Sequence, residues 1–258
     1  MDKSTKKIIF QIGNIVGFIA TVIVNFLAIG LPINGKTTQE LSDALPNLFV
    51  PANITFSIWS VIYILLGIFA IYQAKDLFKK EKEELPFVDK ISFFFILSSI
   101  ANITWILVWH YQLIPASLIV MIVLFASLLL VYLKLGIGKD VASRREKLLI
   151  QVPISVYFGW ITTATIANTT AFLVSIGWNR FGIAEELWTI IVLTVAAVVY
   201  VLNVLIRKDI AYGAVGIWSI LGIFLKQIVS NPIVAYTALT ALIIIVLAIA
   251  KIIIFKKK

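Results

Sequence analysis

"IIFQIGNIVGFIATVIVNFLAIGL", residues 8–31, decides the class of fold. It carries no charged residue. A bilayer core about 30 Å thick takes roughly 20 apolar residues per helix, so this run is long enough to cross it. It is too long for the core of a signal peptide and lacks a small-residue cleavage pattern, so it reads as a first membrane span. The rest of the chain agrees with it. Of 258 residues, 61% are hydrophobic and only 14% are charged, against about 25% charged in an ordinary soluble domain. The expected fold class is all-α: a polytopic membrane helix bundle of about eight transmembrane helices, with no room left for a separate soluble domain.

Hydropathy places the eight at Ile8–Leu31, Ile54–Gln73, Ile91–His110, Ala116–Leu135, Leu148–Trp178, Leu187–Ile206, Ile210–Leu225 and Ile233–Phe255. Pro153, near the start of the fifth, predicts a kink or an interfacial first turn. The seventh is short and holds Gly213, Gly216 and Gly222. Basic residues favour cytoplasmic loops. With a cytoplasmic N-terminus, nineteen Lys and Arg fall inside, including Lys256, Lys257 and Lys258, and three fall outside: Lys36, Arg180 and Lys226. Both termini are therefore expected in the cytoplasm. The net charge of +9 is a topology signal on this reading, and no nucleic-acid partner is expected. The first outer loop, "PINGKTTQELSDALPNLFVPAN", is long, and the inner loop "AKDLFKKEKEELPFVDK" reads as solvated.

Several chemistries are excluded or weakened. The chain has no cysteine, hence no disulfide, thiol chemistry or thiolate metal site. All thirteen acidic residues fall in loops, tails or helix ends. An ion-coupled transporter normally keeps an ionisable group inside the membrane, so proton or sodium coupling is disfavoured. Carboxylate metal sites and acid–base pairs in the membrane core are disfavoured too. The one histidine, His110, stands between Trp109 and Tyr111. It reads either as an interfacial residue of an aromatic belt or, more sharply, as a haem ligand or proton donor. "NIT" at Asn102 and "NTT" at Asn168 lie inside spans, where the amide matters because it needs a partner in hydrocarbon.

Three stripes stand out. "FSIWSVIY", residues 56–63, sets Phe56, Trp59 and Tyr63 at helical spacing. "SSIANITWILVWH" does so for Asn102, Trp105 and Trp109, and "YFGWITTATIANTTAF" for Trp160, Ala164 and Asn168 among small and hydroxylated residues. Taken singly, each stripe can be packing and inter-helix hydrogen bonding. Trp178 and Trp188 read as interface anchors. Together the stripes suit a flat, apolar, polar-edged ligand, with rings for stacking and amides for orientation. "IWS" at 58–60 and again at 217–219 is a faint echo of an inverted repeat. No nucleophile is poised by an obvious base.

"PANITFSIWSVIYILLGIF", "ANITW" and "WITTATIAN" resemble the tryptophan-rich sensory protein (TspO/MBR) family, which includes the mitochondrial translocator protein, or peripheral benzodiazepine receptor. The resemblance covers about residues 8–178. It implies a five-helix bundle, often dimeric, that binds porphyrins, sterols and synthetic aromatic ligands below the first long loop. By motif position it implies one cavity lined by Phe56, Trp59, Tyr63, Asn102, Trp105, Trp160, Ala164 and Asn168. Some bacterial members resemble light-dependent porphyrin degraders, and the tryptophans matching theirs would be Trp59 and Trp160. The chain departs from the family at "ANITFSIW", which lacks the fuller proline and tryptophan set, and at "FLVSIGWNR", which lacks the tyrosine of the cholesterol pattern; "LVYLK", residues 130–134, matches that pattern elsewhere.

The expected organisation is a five-helix membrane domain over residues 1–178 and a three-helix extension, 179–258, packed on it. The expected function is a receptor or sensory-type membrane protein, rather than an enzyme, for a flat hydrophobic ligand such as a porphyrin. The alternatives are a facilitative transporter of small amphiphiles and a light-dependent porphyrin-degrading activity. No catalytic residue, metal site or required cofactor is expected, and a protoporphyrin-like tetrapyrrole is a possible ligand. The expected setting is a bacterial plasma membrane, with the lipid bilayer and a small hydrophobic ligand as partners and the chain a monomer or homodimer.

Overall fold

Inside a bilayer each backbone N–H and C=O must find its partner within the protein, and a helix satisfies all of them within one segment. The apolar runs accordingly form helices in the computed structural model, which describes residues 2–255. Lys256, Lys257 and Lys258 of the charge count lie outside the described residues. The eight apolar helices are α1 (Lys3–Gly30), α2 (Ile58–Gln73), α3 (Phe94–His110), α4 (Ile114–Lys134), α5 (Val152–Ser175), α6 (Glu185–Arg207), α7 (Ile210–Ser230) and α8 (Pro232–Phe255). Seven are long and apolar enough to cross a membrane, α2 and α5 with the turns that precede them. The other, α3, has 17 residues, the lower end of what a span needs. The chain is an all-helical, multi-pass membrane protein, and no strand occurs among the described residues.

Boundaries follow local chemistry. Asp2 caps α1 by accepting from the Thr5 N–H at 2.7 Å, and Asp209 caps α7 from Tyr212 N–H at 3.1 Å. Pro115 stands in the first turn of α4, where a missing N–H costs nothing. The expected third span is shorter than its apolar run because Ser92 takes φ 55°, ψ −140°. That residue separates a short helix, Pro86–Ile91, from α3. Before α5 the chain makes one π-helical turn, Lys147–Gln151, in which Val152 N–H reaches Lys147 O. Pro153 follows directly; it has no N–H to give to the carbonyl four residues back, and the wider turn absorbs the mismatch. α7 runs to Ser230 and is longer than expected.

The helices sort into two compact units: residues 1–38 with 59–158, and residues 39–58 with 159–258. The division expected at residue 178 came from likeness to five-helix proteins, a different criterion from compactness.

In the first unit, α1 turns apolar residues outward and polar ones inward. Val16, Ile19, Ile23 and Phe26 are exposed, while Lys7, Gln11, Asn14, Thr21 and Asn25 are buried. Those five recur at spacings of three, four and seven, one face of a helix. Gly17 lets α1 approach α3, since a Cβ there would sit 3.0 Å from the Ser99 side chain. At one end of this face Lys7 pairs with Asp76, and Gln11 Nε2 donates to Asp76 Oδ1 at 2.8 Å. Asp76 is completely buried, so the charged loop that follows α2 is not uniformly solvated as expected. Burial raises its pKa, but hydrogen bonds from Lys7 and Gln11 outweigh that and hold the carboxyl below its ordinary value. Glu83, between Lys75 and Lys79, is held down to about 2 by their hydrogen bonds.

In the second unit, α6, α7 and α8 pack through small residues. A Cβ on Gly216 would sit 2.5 Å from the Tyr200 ring. The segment before α2 docks on α7: Trp218 Nε1 donates to Thr55 O at 2.9 Å and Gln227 Nε2 to Leu48 O at 3.0 Å. Lys226 pairs with Asp43.

Candidate functional site

Aromatic and amide side chains gather inside the first unit. On α2, Trp59 and Tyr63 are one turn apart and stack, with ring centroids 5.6 Å apart and planes 19° from parallel. Tyr157, at the start of α5, meets Trp59 edge-on at 6.5 Å. On α3, Asn102 is fully buried. Its Nδ2 donates to Tyr157 OH at 3.1 Å, and its Oδ1 accepts from Asn25 Nδ2 of α1 at 2.8 Å. Trp105 lies three residues on from Asn102, buried, and stacks on Trp109 at 5.6 Å. Two buried polar groups, Tyr63 OH and Trp105 Nε1, have no hydrogen-bond partner among the described residues. Burying such a donor without an acceptor is costly, and each instance calls for an explanation.

The second unit holds the remaining residues of the set. Phe56 meets Trp160 edge-on, with centroids 6.1 Å apart. Trp160 and Asn168 are buried, and Ala164 stands midway between them on α5. The threonines beside them act as inter-helix ties. Thr162 Oγ1 bonds Tyr212 OH at 2.9 Å, and Thr163 Oγ1 bonds Tyr200 OH at 2.6 Å. Tyr200 OH also donates to Gly159 O at 2.7 Å. The eight residues thus fall into two groups. Trp59, Tyr63, Asn102 and Trp105 belong to one unit, and Phe56, Trp160, Ala164 and Asn168 to the other.

His110 is fully buried within the protein, and both ring nitrogens are engaged. Nδ1 stands 3.0 Å from the Ile33 carbonyl, which can only accept, so Nδ1 carries the proton. Nε2 and Thr38 Oγ1 share a hydrogen bond at 3.0 Å. Asn34 Nδ2 donates to the His110 carbonyl, and Trp109 Nε1 to Thr38 O. His110 ties the loop that follows α1 to the end of α3.

Sequence reasoning missed two members of the first group. Tyr157 lies three residues before Trp160, at the spacing of the stripe already singled out, and Asn25 is one of few amides in an apolar run. Both signals were present. Nothing in the sequence paired Asn25 with Asn102, 77 positions away.

The family profile for TSPO-like proteins matches residues 11–251. The chain belongs to the TSPO-like family. The match runs on past Trp178 and takes in α6, α7 and most of α8, the region that the sequence resemblance left outside. No curated protein and no solved structure matches the chain. Membership in the TSPO-like family and the apolar helices make it a multi-pass membrane protein, and the family suggests a sensory or binding role.

Proposed function

We propose that this TSPO-like protein is a receptor-type membrane protein that binds a flat hydrophobic ligand with hydrogen-bonding edges, such as a porphyrin. The observation that carries the reading is the arrangement within the first unit. A stacked indole and phenol, Trp59 and Tyr63, accompany the Asn25–Asn102–Tyr157 chain and two buried polar groups without a partner among the described residues, Tyr63 OH and Trp105 Nε1. A planar apolar ring gains stacking and burial there, about 1 kcal/mol per aromatic pair beyond area. Polar atoms at its edge would meet groups the fold leaves unspent. Phe56, Trp160, Ala164 and Asn168 join the proposal through their motif positions and the Phe56–Trp160 contact.

Titration of the purified protein with protoporphyrin, read by tryptophan fluorescence, tests it. Saturable quenching is expected, with affinity lowered about ten-fold in Trp59→Phe and in Trp160→Phe, the loss that about 1.4 kcal/mol produces. Unchanged affinity in both variants would remove the assignment.

The polar face of α1 favours a second reading, a facilitative path for a small amphiphile. Gln11 Oε1, Asn14 Oδ1 and Thr21 Oγ1 are buried on it without hydrogen-bond partners among the described residues. Proteoliposomes would then pass the amphiphile without any dependence on an ion gradient. Binding with no flux rejects this reading and leaves the first.

A further inference from the structure

The second unit contains a cavity of about 410 Å³ where α5 ends and α6 begins, with Phe49, Thr170, Trp178, Arg180, Trp188 and Thr189 on its wall. Its apolar side is aromatic: the Trp178 and Trp188 rings meet edge-on at 4.7 Å, with Phe181 against Trp178 at 5.3 Å. The wall hydroxyls and the Asn47 amide are spent locally, and the wall also carries the Asn179 amide and the Glu185 carboxylate. Thr170 Oγ1 donates to Ala167 O and Thr189 Oγ1 to Glu185 O. The Asn47 carboxamide bonds Leu45 O and Phe49 N–H.

Arg180 is different. Its only ion pair among the described residues is a 4.0 Å approach to Glu185, and its Nε is buried with no hydrogen-bond partner. The backbone holds it in an unusual place. Arg180 and Phe181 both take left-handed conformations, φ 57° and 54°, which side chains other than glycine adopt at a cost. Gly182 N–H closes the turn on Asn179 O at 3.0 Å, and Asn179 Oδ1 accepts from Phe181 N–H. Strain of this kind gathers at binding sites, where the surrounding structure fixes it.

We propose that this cavity binds an anionic amphiphile: the anionic head pairs with the Arg180 guanidinium, and the apolar body lies against Trp178 and Trp188. A guanidinium suits carboxylate and phosphate alike, because its fork matches two oxygens at once. Indoles suit the region where an acyl chain meets its head group. The proposal rests on none of the residues assigned to the porphyrin-type ligand.

The test uses the full chain in phosphatidylcholine nanodiscs, titrated with 9,10-dibromostearate, whose bromines quench nearby indoles. Saturable quenching is expected, and the Trp178→Phe/Trp188→Phe double variant should lose that component. Arg180→Gln should raise the half-saturation point about ten-fold, the size of a charge-assisted hydrogen bond. Arg180→Lys, which keeps the charge but not the fork, should raise it less than Arg180→Gln does. The uncharged methyl ester should bind the wild type and Arg180→Gln alike. Nanodiscs with brominated phosphatidylglycerol against brominated phosphatidylcholine separate the sources of the anion. Stronger quenching by the former that needs Arg180 identifies a lipid head group; equal quenching by both, with the free acid still bound, identifies a free carboxylate. Half-saturation untouched by Arg180→Gln would overturn the proposal. An equal loss in Arg180→Lys and Arg180→Gln, or an ester that binds as well as the acid, would also overturn it.

Discussion

Asp76 and Asn102 show how much single residues carry when a chain has few polar groups to spend. Removing one member of a buried ion pair leaves an uncompensated charge and costs about 3–5 kcal/mol, whereas replacing both with apolar residues is often neutral. Asp76→Asn should therefore destabilise the protein far more than the double variant Lys7→Met/Asp76→Leu, as read by thermal unfolding in detergent. The same pair sets a pH dependence. Because the folded carboxyl sits below its ordinary value of about 4, its contribution is present above that pH and is lost as pH falls through the folded value. Thermal stability should drop below about pH 4, and less so in the double variant. Asn102→Leu strands the amide of Asn25 and the hydroxyl of Tyr157, each of which bonds it now. Unsatisfied buried groups cost about 1–3 kcal/mol. Helices in a membrane also find alternative partners, so a double-mutant cycle of Asn102→Leu with Tyr157→Phe should give a coupling of about 0.6 and at most about 1.7 kcal/mol. Asn102, Trp59 and Tyr63 were visible in the sequence because an amide or an aromatic stripe inside an apolar run is conspicuous. The Lys7–Asp76 pair was hidden because it joins positions 69 apart, and a carboxylate in a charged loop looks like any other.

Helices were the easiest features to find, because each apolar run is one span and lipid permits little else. Their ends were harder. Ser92 breaks a run that hydropathy reads as continuous, and the chain before α5 widens into a π turn ahead of Pro153. Both are decisions of backbone geometry that composition does not record. The glycines of α7 serve close packing. Gly216 faces the Tyr200 ring, and that ring also carries hydrogen bonds to Thr163 and Gly159. Gly216→Ala should therefore overpack the α6–α7 contact and cost about 1–3 kcal/mol. The check is a lowered midpoint of thermal unfolding, and Gly30→Ala, whose Cβ would meet only the Phe26 ring at an ordinary 3.6 Å, is the control.

At the scale of the whole chain, the positive charges predict an orientation that a native sequence without cysteine makes simple to measure. Val141→Cys, on a fully exposed residue of the inner loop, should react with an impermeant thiol reagent only from the cytoplasmic side. Phe181→Cys should react only from the opposite side. The family was legible from three short motifs in order, and its profile extends over nearly the whole chain. The partition of the eight expected site residues between two compact units was not legible, since spacing places residues on a helix face and says nothing of which helices enclose them. The most direct test of the binding reading is an experimental structure of the protein saturated with protoporphyrin. The prediction is a macrocycle in stacking contact with Trp59 or Tyr63, its polar edge toward Asn102. A macrocycle bound elsewhere, with the rings of Trp59 and Tyr63 turned to lipid, would contradict it.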